Sequence, residues 1–357
     1  MTELNEHEPI KISVNGPYSF TLHCDTRNFG AYQRQGVVEN TKVPQIIEFK
    51  PLMEAVMNPG ACTPEGFLQP ADMKYFGMGR PENLHVAMIG LHTFSKEHNR
   101  YPVTEAEINQ AIEMAKGFNS TAKIVEEVDE DIARKVITYA RYSISPMAAF
   151  FGGIVAQEIV KFTGKYMPLR QWLHYDIFEA LPEQPVDRNP RNSRYDDQAC
   201  VFGWETQEQL LKVKTFMVGA GALGCELIKA FALMGIGCGD AGSVTCTDND
   251  NIEVSNLNRQ FLFRKNNVGH SKSETATNIA KQMNPGLKAR ALMTRVGPDT
   301  EEVFNDAFWE NLDFVVNAVD NIKARQYVDQ RCVWYEKPLL ESGTLGTKAN
   351  MQMVVPH

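Results

Sequence analysis

Apolar residues change period along this chain, and the changes mark its parts. Ile10, Ile12 and Val14 alternate with polar neighbours, Asn15-Gly16-Pro17 turns, and Tyr18, Phe20 and Leu22 alternate again. Period-two runs on either side of an Asn-Gly turn predict a β-hairpin. Residues Val37–Val43 and Ile46–Phe49 predict two further short strands. So few short strands make a poor core alone, so residues 1–50 read as a partial β domain. Residues 51–81 are rich in Pro, Gly and Met, without sustained period, and read as a connector.

From Glu82 the period becomes helical. Leu84, Ala87, Met88 and Leu91 share one face. Thr104 with Glu107 forms a capping box that opens a second helix through Ile108 and Ile112, and Asp129 caps a third through Ile132, Val136 and Ala140. Residues 82–143 therefore predict a small helical bundle. His85, His92 and His98 lie on or near its first helix, but their spacing makes no compact ligand set, so they read as surface or boundary histidines. Ser145–Gly164 is almost wholly apolar with Gly152-Gly153 at its middle. Glycines inside a helix cost roughly 1 kcal/mol each, so the pair predicts close backbone packing and a buried helix. Trp172–Phe178 predicts a strand, and residues 182–200 a polar linker carrying the main domain boundary.

Residues 201–357 alternate strand and helix. After a short helix over Glu205–Lys214, Phe216–Val218 is a buried-strand run, and Gly219, Gly221 and Gly224 form a GxGxxG turn. A helical stripe follows through Leu227, Ile228, Phe231 and Met234, then a stop at Gly235, then a strand over Ser243–Thr247 ending at Asp248. In such a turn the first glycine permits the bend, the second lets a phosphate approach the backbone, and the third lets helix and strand pack. The helix N-terminus offers free N–H groups to an anion, and an acidic residue at the next strand end can accept from ribose hydroxyls. Further along, a helix opens at a Ser271/Glu274 capping box and strands are expected at Ala289–Val296, Phe314–Asn317 and Leu339–Ser342. Helices are expected at Thr300–Phe308 and Ile322–Tyr335. Units of this size predict an α/β domain with a doubly wound, parallel, Rossmann-like sheet.

Composition narrows the classes. With 36 basic and 44 acidic side chains the net charge is −8, which argues against a general nucleic-acid binder. No apolar run reaches the length of a membrane span, and the polar N-terminus is no signal peptide. The seven cysteines show no pairing pattern and no CxxC, which predicts free thiols in a reducing compartment and no structural zinc.

The loop after Asp248 carries Asn256, Asn258, Arg259 and Gln260 in a tight polar group, and Lys272 stands in the first turn of the next helix. NAD is the default ligand of a GxGxxG turn. Two cations beside the cradle suit a triphosphate better than one pyrophosphate. The plain alternative is a solvated loop with ordinary surface cations. Asp320 stands just past the carboxyl end of a buried strand, where open α/β sheets bind ligands, and a carboxylate there can hold Mg²⁺ on phosphate oxygens. Its other reading is the N-cap of the Ile322 helix, and one oxygen could serve each task.

The stretches GAGALGCE, TDNDNIEVSNLNRQFLFR, NAVDN and KPLLESGTLGTK, in that order, closely resemble the active adenylation domain of the ubiquitin-activating enzyme family, of ThiF/MoeB type. The likeness runs from about Gly203 to Pro356. Residues 1–50 are similar to part of the family's first catalytic-cysteine half-domain, residues 82–143 to its four-helix bundle, and residues 144–181 to the end of its inactive adenylation domain.

The resemblance implies ATP-dependent activation of ubiquitin. The ubiquitin C-terminal carboxylate attacks the α-phosphate of ATP·Mg²⁺, giving an acyl-adenylate and pyrophosphate. A cysteine then captures the carbonyl as a thioester for transfer to ubiquitin-conjugating enzymes. It implies that Gly219, Gly221, Ala222 and Gly224 form the nucleotide cradle, and that Asp248 holds the ribose. Asn256, Arg259, Gln260 and Lys272 meet phosphates, and Val296 lines the adenine pocket. Asp320 ligates Mg²⁺ with Asn321 beside it, so that Arg259, Lys272 and Asp320 are the expected catalytic groups. It further implies a cytoplasmic and nuclear location. The chain departs from the family pattern by lacking the first part of the inactive adenylation domain, with its phosphate-reaching arginine, and the segment bearing the catalytic cysteine. An internal fragment, inactive alone, is therefore expected, with those missing parts as partners. Two other classes compete: an NAD-dependent dehydrogenase, for which His270 is the one candidate acid–base histidine after Gly224, and a non-catalytic scaffold for a ubiquitin-like protein.

Overall fold

The computed structural model describes all residues except 1, 5–7, 34–36, 38, 40, 42–45, 61–78, 165, 347 and 357. The chain divides into two units, Met1–Pro51 and Leu52–His357. In the first, β1 (Ile12–Gly16) and β2 (Ser19–Leu22) form the expected antiparallel hairpin, with Ile12 opposite Leu22 and Val14 opposite Phe20. Val14 is 75% exposed, so the hairpin's apolar face lies open. Ile46–Phe49 is not a strand, and much of Val37–Val43 lies outside the described residues.

The second unit opens with α1 (Leu52–Met57), followed by α2 (Arg80–His98), α3 (Glu105–Ala122) and α4 (Glu130–Tyr139). The last three form a bundle around Val86, Leu91, Phe94, Ile112, Ala115 and Ile137. Gly90 lets α2 and α3 touch, since a Cβ there would sit 2.6 Å from the Ala115 Cβ. The Thr104/Glu107 capping box is closed in both directions, and Asp129 caps α4 through the Ile132 N–H. His92 and His98 are exposed as expected. His85 is not: it is buried, with Nδ1 and the His174 Nε2 3.0 Å apart and Nε2 3.0 Å from the Val56 carbonyl.

Three expectations between the bundle and the sheet need correction. Helix α5 (Ser145–Lys161) forms, but none of its residues is buried, and a Cβ on Gly152 or Gly153 would meet nothing within 4 Å. Among the described residues no element covers the glycine pair. Trp172–Phe178 is not a strand, because among the described residues no strand lies beside it to complete a ladder. Side chains hold it instead: Trp172 Nε1 donates to the Ala55 carbonyl, and Asp176 pairs with Arg80. The segment expected as linker is tied down, since Trp204 Nε1 donates to the Asn189 carbonyl at 2.8 Å. Its end is helical: α6 (Asp196–Phe202) buries Gln198, Ala199 and Cys200, and α7 (Trp204–Lys212) follows.

The sheet runs β3 (Lys214–Val218), β4 (Ser243–Thr247), β5 (Ala289–Leu292), β6 (Phe314–Asn317), β7 (Leu339–Leu345) and β8 (Lys348–Val354) along the chain. In space the order is β5-β4-β3-β6-β7-β8. Neighbours are parallel except β8, which pairs antiparallel with β7 and was not foreseen. The crossovers carry α8 (Ala222–Met234), α9 (Lys272–Met283), α10 (Asp306–Glu310) and α11 (Ile322–Trp334). Successive β3 residues serve opposite faces: Met217 joins Ile228 and Ala276 on one, while Phe216 and Val218 join Phe304, Trp309 and Val328 on the other. Both faces are covered, as a doubly wound sheet requires. The helix expected over Thr300–Phe308 begins late, at Asp306, because Asn305 caps it by accepting from the Phe308 N–H. The Ser271/Glu274 box is half formed, with Ser271 Oγ accepting from the Glu274 N–H and no return bond.

Candidate functional site

Strand order reverses between β3 and β6, since the connection from β3 leads outward to β4 and that from β6 outward to β7. Ligands of open α/β sheets bind in the crevice at this switch point, beyond the strand carboxyl ends. A cleft of about 850 Å³ opens there. Gly219, Gly221, Ala222, Asp248, Asn256, Arg259, Gln260, Lys272, Val296, Asp320 and Asn321, the residues expected from sequence, all line it. Gly224 is the exception.

The glycines divide their tasks by clearance. Gly219 has φ +101°, and a Cβ there would fall 2.5 Å from the Ala318 carbonyl oxygen. At Gly224 a Cβ would fall 2.2 Å from the Gly219 carbonyl oxygen, so this glycine packs α8 against the end of β3. Gly221 is different, because a Cβ would meet only the Gln260 Nε2, at 3.8 Å. Its face toward the cleft is bare, which is what a phosphate approaching the backbone requires. Gln260 is 4% exposed, and its Oε1 has no hydrogen-bond partner among the described residues. A buried orphan acceptor costs stability unless a ligand or water meets it.

Asp248 closes the turn. Its Oδ2 accepts from the Ala220 N–H at 2.7 Å and its Oδ1 from the Asp250 N–H at 2.9 Å. Burial pushes its carboxyl above the ordinary value, against the pull of those two N–H groups. Each oxygen keeps acceptor capacity for a ligand hydroxyl. Asn256 Oδ1 is spent on the Glu253 N–H at 2.9 Å, which leaves its Nδ2 as donor.

The two expected cations are not alike. Lys272 Nζ forms a salt bridge with Asp250 Oδ2 at 2.7 Å. Arg259 Nη1 donates to the Ser255 carbonyl and to Asn258 Oδ1, and among the described residues no carboxylate pairs with it. Asn321 Oδ1 caps α11 by accepting from the Ala324 N–H at 2.8 Å. The cap that sequence offered to Asp320 is therefore Asn321, and the exposed Asp320 carboxylate makes no hydrogen bond or ion pair with the described residues. The cleft thus presents one uncommitted cation and one uncommitted carboxylate beside a bare glycine turn. Sequence reasoning missed Asp250 and Arg325, which also line it. The signal for Arg325 was its place a turn into the helix that starts beside Asp320.

Among the described residues, no cysteine or histidine lines this cleft. His270 is exposed and stands outside it, so the one histidine that the dehydrogenase alternative named is not at this cleft. Cys225 and Cys332 are buried thiols, pushed by desolvation up to about 12, and burial raises Cys246 further. Cys62 lies outside the described residues. No cluster of metal-binding side chains occurs among the described residues, and no described helix is long and apolar enough to cross a membrane.

Comparison with known proteins assigns the fold's relatives. Residues 195–357 match the ThiF family, residues 1–42 the ubiquitin-activating enzyme E1 FCCH domain, and residues 43–119 the ubiquitin-activating enzyme E1 four-helix bundle. Over its full length the chain is 50% identical to ubiquitin-activating enzyme E1 1 of Triticum aestivum and 47% identical to ubiquitin-like modifier-activating enzyme 1 of Rattus norvegicus. The chain belongs to the ubiquitin-activating enzyme family. It covers 34% of each of those two relatives, so it spans about a third of their length. Among solved structures, E. coli MccB with succinimide aligns at TM-score 0.41 and 23% identity, covering 47% of this chain and 49% of that one, which adds nothing to the fold already described. Within the family the ThiF match begins at residue 195, inside the segment that sequence read as a linker.

Proposed function

We propose that this cleft binds ATP with Mg²⁺ and adenylates the C-terminal carboxylate of ubiquitin, the first step of ubiquitin conjugation. The observation that carries the reading is the pairing of an uncommitted Arg259 guanidinium and an uncommitted Asp320 carboxylate across a glycine turn with no Cβ in the way. Family membership and the names of the relatives support it. Gly219, Gly221 and Ala222 form the cradle, and the Asp248 oxygens accept from ribose hydroxyls. Val296 lies against the base. Asn256 Nδ2, the Gln260 amide, Arg259 and Lys272 meet phosphate oxygens. Lys272 exchanges its Asp250 partner for phosphate, which costs little because both partners are charged in either state. The donor set fits Mg²⁺, a hard cation that takes one or two carboxylate oxygens and leaves its other positions to phosphate and water. Asp320 would hold that ion, with Asn321 fixing the helix start beside it. When bound, the ion orients the α-phosphate and offsets charge on the leaving pyrophosphate.

Thioester capture and transfer to ubiquitin-conjugating enzymes, in the cytoplasm and nucleus, complete the proposed reaction. We assign the capture to neither Cys225 nor Cys332, because a thiol raised to about 12 by burial holds almost no thiolate at neutral pH. Calorimetric titration tests the cleft directly. ATP·Mg²⁺ is expected to bind and NADH to fail. Asp320→Ala is expected to abolish the gain from Mg²⁺, a loss of about tenfold or more. Tight NADH binding, or ATP binding indifferent to both Mg²⁺ and Asp320, would sink the reading.

A further inference from the structure

Asp320 makes no bond with the described residues, yet the loop that carries it is held from three sides. At its start the Ala318 N–H donates to the Val218 carbonyl at 2.8 Å, and at its end Asn321 caps α11. Between them the Val319 carbonyl, one residue before Asp320, accepts from Arg325 Nη2. The other arm of that guanidinium, Nη1, is ion-paired with Glu341 Oε1 on β7. Glu341 Oε2 in turn accepts from Asn317 Nδ2 at 2.8 Å, and Ser342 Oγ donates to the Asn317 carbonyl at 3.1 Å. Asn317 and Glu341 are register partners on adjacent parallel strands, and Asn317 is fully buried. A rigid strand pair thus grips a guanidinium that grips the loop. Gly343 leaves room for it, since a Cβ there would fall 2.9 Å from Arg325 Nη2.

We propose that Arg325 and Glu341 are positioning residues for Asp320, holding its carboxylate where the cation is to be met. The inference rests on the cleft reading above in assigning the cation to Asp320. Arginine suits the task because its planar fork serves two acceptors in fixed relative geometry, which a lysine ammonium on a flexible stem does not. The pair is mostly shielded, at 26% and 19% side-chain exposure, so solvent does not dissolve the link. Its position explains how the backbone that carries Asp320 is fixed although the carboxylate itself has no partner among the described residues. Partners one step behind a metal ligand set its orientation, and losing them typically lowers metal affinity by about 10- to 100-fold.

The test uses the full chain with Arg325→Lys, Glu341→Gln and Gly343→Ala. The last keeps both charges and moves the guanidinium by crowding it, so a result does not depend on a variant that fails to fold. Without ligand, amide hydrogen exchange at residues 318–321 is expected to speed up by about tenfold, with β3 and β4 unchanged. With nucleotide, the Mg²⁺ concentration for half-maximal ATP binding is expected to rise by about tenfold, while in Glu341→Gln and Gly343→Ala the Mg²⁺-free ATP affinity stays within about twofold. An equal loss of affinity with and without Mg²⁺ would mark a general structural role and overturn the proposal. So would an unchanged Mg²⁺ requirement. If the unsubstituted chain binds no ATP·Mg²⁺, the cleft reading fails separately. The exchange measurement then decides: faster exchange confined to 318–321 upholds the positioning role, and unchanged exchange overturns it.

Discussion

Arg80 and Arg259 stand in opposite situations, and the contrast separates what holds this chain together from what it offers to a ligand. Arg80, in the first turn of α2, has a 10% exposed side chain, and its Nε donates to Asp176 Oδ2 at 2.9 Å. Its Nη2 pairs with Asp176 Oδ1 and its Nη1 with Glu179 Oε1, while the Phe178 N–H adds a donor to the Asp176 carboxylate. Every charge in that cluster is answered from within. At the switch point of the sheet, among the described residues, Arg259 has no carboxylate, Asp320 has no donor, and the Gln260 Oε1 is orphaned. A satisfied cluster fixes the segment before the short 3-10 turn Phe178–Ala180 onto the bundle. An unsatisfied one in a cleft is capacity reserved for something else.

The sharpest way to break this comparison is to remove one carboxylate from each place. Asp176→Ala leaves a buried guanidinium short of its main partner, which typically costs about 3–5 kcal/mol. Asp320→Ala removes nothing the folded chain uses and is expected to change stability by less than about 0.5 kcal/mol. Urea denaturation of the two variants measures both. Equal losses would mean that the Asp320 carboxylate has structural partners in solution.

A smaller effect comes from adding one methyl at two glycines of the same turn. Gly224→Ala drives a Cβ to 2.2 Å from the Gly219 backbone oxygen, so the start of α8 must shift. Overpacking of that kind costs about 1–3 kcal/mol. Gly221→Ala meets nothing nearer than 3.8 Å and has φ −76°, so stability is expected to hold within about 0.5 kcal/mol. Its methyl occupies the face left for phosphate, so nucleotide affinity is expected to fall by about tenfold or more. If Gly221→Ala binds as the parent does, the bare face is not where phosphate sits.

The same distinction explains what sequence made legible. The β3–α8–β4 unit could be read because its constraints are local: alternating burial, glycines at fixed offsets and an acid at the strand end all lie within Thr215–Asp248. Gly219, Gly221, Asp248 and Asp320 could be named because they stand at or just past strand ends, whereas Ala222, Val296 and Asn321 came from the family resemblance. Their state could not be read. That Lys272 is paired with Asp250, that Asn321 takes the cap offered to Asp320, and that Arg325 reaches Glu341 all depend on contacts between elements far apart in sequence. The failures at Trp172–Phe178 and at α5 have one cause. An apolar or extended pattern says that a segment wants a partner, not whether one lies beside it. His85 was misread for a related reason, because its partner His174 lies on a segment expected to be a strand.

Acid gives the mildest test, because the two regions respond with opposite sign. His174 lies against His85 and stacks with Trp172, and burial together with the His85 charge pushes it down to about 4. His85 is also lowered by burial, with the Val56 carbonyl and the nearby Glu82 pulling the other way. Above pH 6.5 these rings are neutral whether the chain is folded or not. As pH falls from 6.5 toward 4 the unfolded chain takes up a proton that folded His174 refuses, so stability is lost across that window, by at most about 1.4 kcal/mol per unit. Asp248 runs the other way. Its folded value is raised above 3.8, so its charged form burdens the fold at neutral pH and acid relieves that burden. Urea midpoints at pH 7, 6 and 5 should therefore decline in the parent chain. His174→Gln should flatten that decline, and Asp248→Asn should leave it in place. A decline that survives His174→Gln unchanged would move the acid sensitivity out of the bundle and would remove the histidine pair from the set of groups that bind this unit together.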